Sequence, residues 1–130
     1  MNLIVVGTNA DGLSTKKESL FFLVDKLKPS IICIQKTKFS FYRSLTIPGY
    51  EIFENLLMES MGGGLLTTVH ADLNSVPVTK SDDVELLVVQ IEFKSYKVRV
   101  LNAYGPQEDD DFMKTNNFWQ SLELRKNKTV

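Results

Sequence analysis

Pro29-Ser30-Ile31-Ile32-Cys33-Ile34-Gln35-Lys36-Thr37 is the stretch whose reading decides the fold. Four apolar residues follow a proline and a serine, and polarity returns abruptly at Gln35. A short, Ile-rich run without alternation reads as a strand buried on both faces, the habit of central strands in α/β sheets. Polar residues at the carboxyl end of such a strand stand where α/β proteins place their chemistry. Gln35, Lys36 and Thr37 are therefore the first candidates for a site.

Upstream, Leu3-Ile4-Val5-Val6 is a second run of buried-strand character, ended by Gly7, and Thr8 to Gly12 has the composition of a loop. Thr15-Lys16-Lys17-Glu18 fits a capping box, with the Thr15 hydroxyl as the cap and Glu18 reaching back to it. Leu20, Leu23, Val24 and Leu27 then recur at helical spacing on one face, and Lys28-Pro29 stops the helix. Strand, helix and buried strand make a βαβ unit with parallel strands.

Downstream, residues 38–49 read as irregular and close with Ile47-Pro48-Gly49, and Tyr50 to Phe53 is a short strand. Three glycines, Gly62 to Gly64, precede a strand at Leu65 to Val69. Such a run suits a close backbone approach; a phosphate loop would need a helix directly after it, and the β-branched residues give a strand instead. Val84 to Phe93 and Tyr96 to Ala103 are the longest β segments, joined as a hairpin by Lys94-Ser95. Tyr104-Gly105-Pro106 ends the second of them. Glu108 to Asp111 precede a helical stretch that carries Phe112, Trp119 and Leu122, and the basic residues from Arg125 onward read as a frayed end.

The whole reads as one α+β or α/β domain, since 130 residues suffice for one core and not for two. Fifteen basic residues against sixteen acidic ones exclude a protein that coats nucleic acid by bulk charge, but leave room for a local phosphodiester site. The single cysteine, Cys33, rules out an internal disulfide and a zinc cluster, and reads as a small buried hydrophobe. No run approaches the ~18 apolar residues of a membrane span, and the N-terminal run lacks the features of a signal peptide. An intracellular setting with no membrane partner is the expectation.

Four segments carry a resemblance. Asn9-Ala10-Asp11-Gly12-Leu13, Ile34-Gln35-Lys36-Thr37, Gly62-Gly63-Gly64-Leu65 and Asn102-Ala103-Tyr104-Gly105-Pro106 occur in the order and spacing of the endonuclease/exonuclease/phosphatase superfamily. The sequence most resembles the endonuclease domain of LINE-type (non-LTR) retrotransposons, which nicks DNA to prime reverse transcription. The resemblance implies a four-layer α/β sandwich with mixed β-sheets and flanking helices, of which residues 1–130 would be the N-terminal half of a C-terminally truncated domain. It implies DNA as partner, Mg²⁺ as cofactor and a nuclear location. It gives Asn9 and Tyr104 as catalytic positions, the first orienting the metal and phosphate site, the second beside the scissile phosphate. Asn102 comes out as structural.

At Lys36 the family has a glutamate that binds the metal. Glutamate and lysine codons differ by one base. Mg²⁺ takes oxygen ligands, and a charged lysine offers no lone pair. At about 4 Å two unit charges interact by roughly 4 kcal/mol in a moderately screened site, doubled for a divalent ion, and here the sign is repulsive. The family's later motifs, an Asp-x-Asn and a late Asp-His pair that activates water, would follow Pro106, and residues 107–130 contain neither. His70 lies too early for the catalytic histidine and reads as a surface strand residue. The expectation is a chain related to a Mg²⁺-dependent DNA endonuclease and catalytically incomplete. The alternatives are a degenerate retroelement fragment and a non-catalytic interaction module. An exposed sheet face would serve self-association or docking of a second half.

Overall fold

The computed structural model describes residues 3–38, 45–55, 63–80 and 86–104. Its elements are β1 (Val5–Asn9), a 3-10 turn (Leu13–Thr15), α1 (Lys17–Leu27), β2 (Ile31–Gln35), β3 (Tyr50–Asn55), β4 (Leu65–His70), β5 (Ser75–Lys80), β6 (Leu86–Phe93) and β7 (Tyr96–Ala103). They form a mixed sheet in the order β1-β2-β4-β3 and an antiparallel sheet in the order β5-β6-β7. The molecule is α+β and dominated by its sheets.

The opening stretch behaves as its composition requires. β2 pairs parallel with β1 and antiparallel with β4. Because strand side chains alternate, Ile32 and Ile34 face one way and Ile31 and Cys33 the other. Ile32 and Ile34 pack with Leu13, Leu20, Leu45, Ile47 and Leu66 under the helix. Ile31 and Cys33 pack with Leu65, Val69, Leu87, Val89 and Ile91 between the two sheets. Each isoleucine is fully buried, which stabilises the fold by about 1.5–3 kcal/mol per side chain.

β1 departs from the sequence expectation. It begins at Val5, runs through Gly7 to Asn9, and is largely exposed rather than buried. Its ladder to β2 uses only backbone groups, so a glycine does not end it, and among the described residues no strand pairs with its outer edge. The expected capping box is also absent. The Thr15 hydroxyl donates instead to the Gly12 carbonyl at 3.2 Å, inside the 3-10 turn, and Lys16 is the cap residue with no side-chain capping bond. On α1, Leu20 is buried and Leu23 and Val24 pack against it, but Leu27 points to solvent at 51% exposure. The helix ends at Lys28, whose φ of 46° is left-handed and whose N–H donates to Val24.

β5 has no counterpart in the sequence reading. Pro77 argues against a strand, yet at the edge of a sheet it costs no ladder bond that matters, and the register shifts between Pro77 and Thr79. The β6–β7 hairpin is as expected, with Phe93 opposite Tyr96 and a two-residue turn at Lys94-Ser95. Both turn residues have positive φ, 50° and 70°, the sign a tight hairpin demands. The helical stretch expected after Asp111 lies outside the described residues, as do Val84, Gly62 and Pro106.

Candidate functional site

The carboxyl ends of β1 and β2 lie side by side, with Asn9 opposite Gln35. From there the chain segments are tied together by backbone bonds. The N–H groups of Ala10, Gly12 and Leu13 donate to the carbonyls of Gln35, Lys36 and Thr37 at 2.8–2.9 Å. The N–H groups of Thr37 and Lys38 donate to Gly64 and Gly63 at 3.2 and 2.9 Å. The glycine run thus makes its close approach to the backbone of residues 37–38, and Gly64 has a φ of 112° that other residues rarely adopt. Asp11, Lys36 and Lys38 also have positive φ, between 46° and 55°. This concentration of left-handed backbone persists because the surrounding bonds over-determine it.

Gln35 and Asn102 join the two sheets. The Gln35 Nε2 donates to Asn102 Oδ1 at 2.7 Å. The Asn102 Nδ2 reaches the Leu66 carbonyl at 3.0 Å, the Thr67 hydroxyl at 3.2 Å and the Ile34 carbonyl at 3.3 Å. Asn102 is fully buried, so the structural role expected of it is its observed one. Tyr104, two residues on, is brought to the same end of the sandwich.

Lys36 follows the last paired residue of β2, and its Nζ stands 5.4 Å from the centroid of the Tyr104 ring, a cation–π contact. Two further lysines frame the site. Lys38 Nζ pairs with Asp11 Oδ1 at 2.7 Å. Lys16 Nζ donates to the Ala10 carbonyl. The Asp11 carboxyl is held below the usual aspartate range, chiefly by its hydrogen bond to Lys38, then by the Lys38 charge, with Lys36 and Lys16 adding to it.

Asn9, Lys36 and Tyr104, scattered over the chain, therefore meet at one end. Asn9 is exposed there. His70 does not join them: it caps the opposite end of β4, edge-on to Tyr50 at 5.3 Å, and accepts from the Asp72 N–H at 3.1 Å. Asp72-Leu73-Asn74 has the form of an Asp-x-Asn motif, but it turns from β4 into β5 at that same far end. Lys16, Lys38 and Asp11 escaped the sequence reading. Lysines at alternate positions around Thr37 were a visible signal; the pairing of Lys38 with Asp11, 27 residues earlier, had none.

No family model matches the sequence, and no curated protein does. Solved structures match throughout. The endonuclease domain of TRAS1, a telomere-specific non-LTR retrotransposon, superposes with a TM-score of 0.71 at 14% identity, over 99% of this chain and 54% of its own. The fold is that of the endonuclease/exonuclease/phosphatase nucleases. An AP endonuclease from Archaeoglobus fulgidus gives a TM-score of 0.66 at 17% identity, over 99% of this chain and 52% of its own. The 3′ phosphatase NExo from Neisseria, bound to a product DNA hairpin, gives 0.66 at 17%, over 98% and 53%. The chain thus spans about half the length of the nucleases it matches. Among the described residues no helix is long and apolar enough to cross a membrane.

Proposed function

We propose that this chain derives from a divalent-metal DNA phosphodiesterase of the retrotransposon endonuclease type and does not itself hydrolyse phosphodiesters. One observation carries the reading: an ammonium, that of Lys36, stands at the end of β2 against the Tyr104 ring, where the resemblance assigns a metal-binding carboxylate. Mg²⁺ binds through carboxylate and other oxygens. The one carboxylate of this loop, that of Asp11, is already paired with the Lys38 ammonium at 2.7 Å. Among the described residues no three His, Cys, Asp or Glu side chains gather. The residues present do not fit a hard divalent cation.

Asn9 and Tyr104 keep the positions that would face a phosphate, and Gln35 keeps its frame through Asn102. Phosphodiester hydrolysis also needs an activated water, and the resemblance places that machinery in a second half. DNA, in the nucleus, is the partner this origin implies.

The test is nicking of supercoiled plasmid by the pure 130-residue chain with Mg²⁺. No relaxation above buffer is expected. Nicking that survives repurification and disappears in Tyr104→Ala overturns the reading.

A further inference from the structure

Among the described residues, β1 and β3 are the edges of one sheet and β5 and β7 the edges of the other. A free edge is a row of unpaired backbone groups, and soluble proteins guard such rows with charge, proline or a bulge. Three of these edges are guarded. β3 carries Glu51 and Glu54, β7 carries Lys97 and Arg99, and β5 carries Pro77, Lys80 and a register shift. β1 and its flanks, Leu3 to Ala10, contain no charge and no proline. The strand is also open to solvent, with Ile4 at 43% and Val5 at 53% exposure.

The direction of each backbone group on β1 follows from its bonds to β2. The Ile4 carbonyl accepts from the Ile31 N–H, and the Ala10 N–H donates to the Gln35 carbonyl. Backbone polar groups alternate in direction along a strand. The even-numbered residues therefore bond to β2, and Val5, Gly7 and Asn9 turn their N–H and C=O groups to the outer edge. Val5 stands beside Ile31 and shares its face, toward the second sheet. There β7 lies over β2 and β4, and β1 projects beyond it. Gly7 sits mid-strand outside the left-handed region, with nothing among the described residues within 4 Å of where a Cβ would be. Packing against those residues does not demand a glycine there.

We propose that β1 pairs antiparallel with β1 of a second copy about a two-fold axis at Gly7, making one sheet continuous across two chains. A two-fold contact sets a surface against itself, so any charge near the axis meets its like. Of the four edges only β1 is free of that repulsion. With Gly7 opposite Gly7 of the second copy, Val5 falls opposite Asn9, and the outward groups of all three exchange hydrogen bonds. A glycine inside a strand suits the close approach of another backbone. The pairing is separate from the metal question, and its failure leaves the plasmid assay untouched.

The experiment is sedimentation velocity of the 130-residue chain over a concentration series, with amide hydrogen exchange at the highest concentration. A dimer is expected. Its Val5, Gly7 and Asn9 amides should exchange about tenfold more slowly than those of a monomeric variant. Gly7→Lys and Gly7→Glu each place like charges at the axis and are expected to be monomers with unchanged circular dichroism. Their equimolar mixture dimerises, because the ammonium of one meets the carboxylate of the other, which no misfolded variant imitates.

An open-ended assembly, a dimer whose β1 amides exchange freely, a dimer that persists in Gly7→Lys, or a mixture that stays monomeric overturns the proposal. So does a monomer at every concentration. Protected Val5, Gly7 and Asn9 amides in such a monomer would assign the edge to residues 105–130 of the same chain instead.

Discussion

Gln35 and Asn102 meet across the two sheets: the glutamine amide donates to the asparagine oxygen at 2.7 Å, and the asparagine nitrogen turns to the Ile34 and Leu66 carbonyls. The pair satisfies Asn102 and the Gln35 amide inside an apolar interface, whereas the Thr37 hydroxyl just beyond is buried without a hydrogen-bond partner among the described residues. Buried polar groups cost free energy unless they are satisfied, so this side chain is as much part of the core as its aliphatic neighbours.

Asn102→Ala removes one partner from each of these groups. The Gln35 amide loses its partner and the Thr67 hydroxyl keeps only Cys33, which with a small cavity costs about 2–4 kcal/mol. Urea denaturation measures it. A loss below about 1 kcal/mol would mean that the interface relaxes to let water in.

Lys36→Glu restores a carboxylate beside Asp11. The variant is expected to bind Mn²⁺, seen as paramagnetic broadening of the amides of residues 9–13 and 35–38, while the unaltered chain shows none. Equal broadening in both proteins refutes the ligand argument. Joined to a complete second half, the unaltered chain stays inactive and the Lys36→Glu form recovers nicking.

Burial raises the Glu54 carboxyl above its ordinary value of 4.5, with Lys80 opposing. A raised acid binds its proton more tightly in the folded state, so its contribution to stability is full below the unfolded value and is lost as pH rises through the folded one. Glu54→Gln removes that dependence. Stability measured by denaturant from pH 4 upward should fall for the unaltered chain relative to the variant; parallel curves would show that Glu54 is solvated in solution.

Lys94 and Ser95 occupy left-handed backbone without being glycine or asparagine. Lys94→Asn with Ser95→Gly matches the turn chemistry and should stabilise the hairpin by about 1 kcal/mol, read as a rise in Tm. A fall in Tm would indicate that the lysine side chain, 5.2 Å from the Phe93 ring centroid, matters more than its backbone strain.

Much of the scaffold was legible. The unbroken Ile31-Ile32-Cys33-Ile34 run identified the doubly buried strand, and the spacing of Leu20, Leu23 and Val24 identified the helix beside it. Where the reading failed, a local rule met a tertiary circumstance. Pro77 sits in a strand because that strand is an edge. Gly7 fails to end β1 because backbone pairing asks nothing of the side chain. Thr15 caps nothing because a 3-10 turn claims its hydroxyl first.

By itself the sequence determined the order of strand, helix and strand, and the position of the polar residues Gln35, Lys36 and Thr37 after β2. These depend on periodicity and residue chemistry, which are local. Only the tertiary structure decided that Asn102, 67 residues from Gln35, satisfies it, and that Asp11 pairs with Lys38. Those contacts arise where packed sheets bring distant loops together, and the need to satisfy buried or crowded polar groups selects the partners only once the chain has folded.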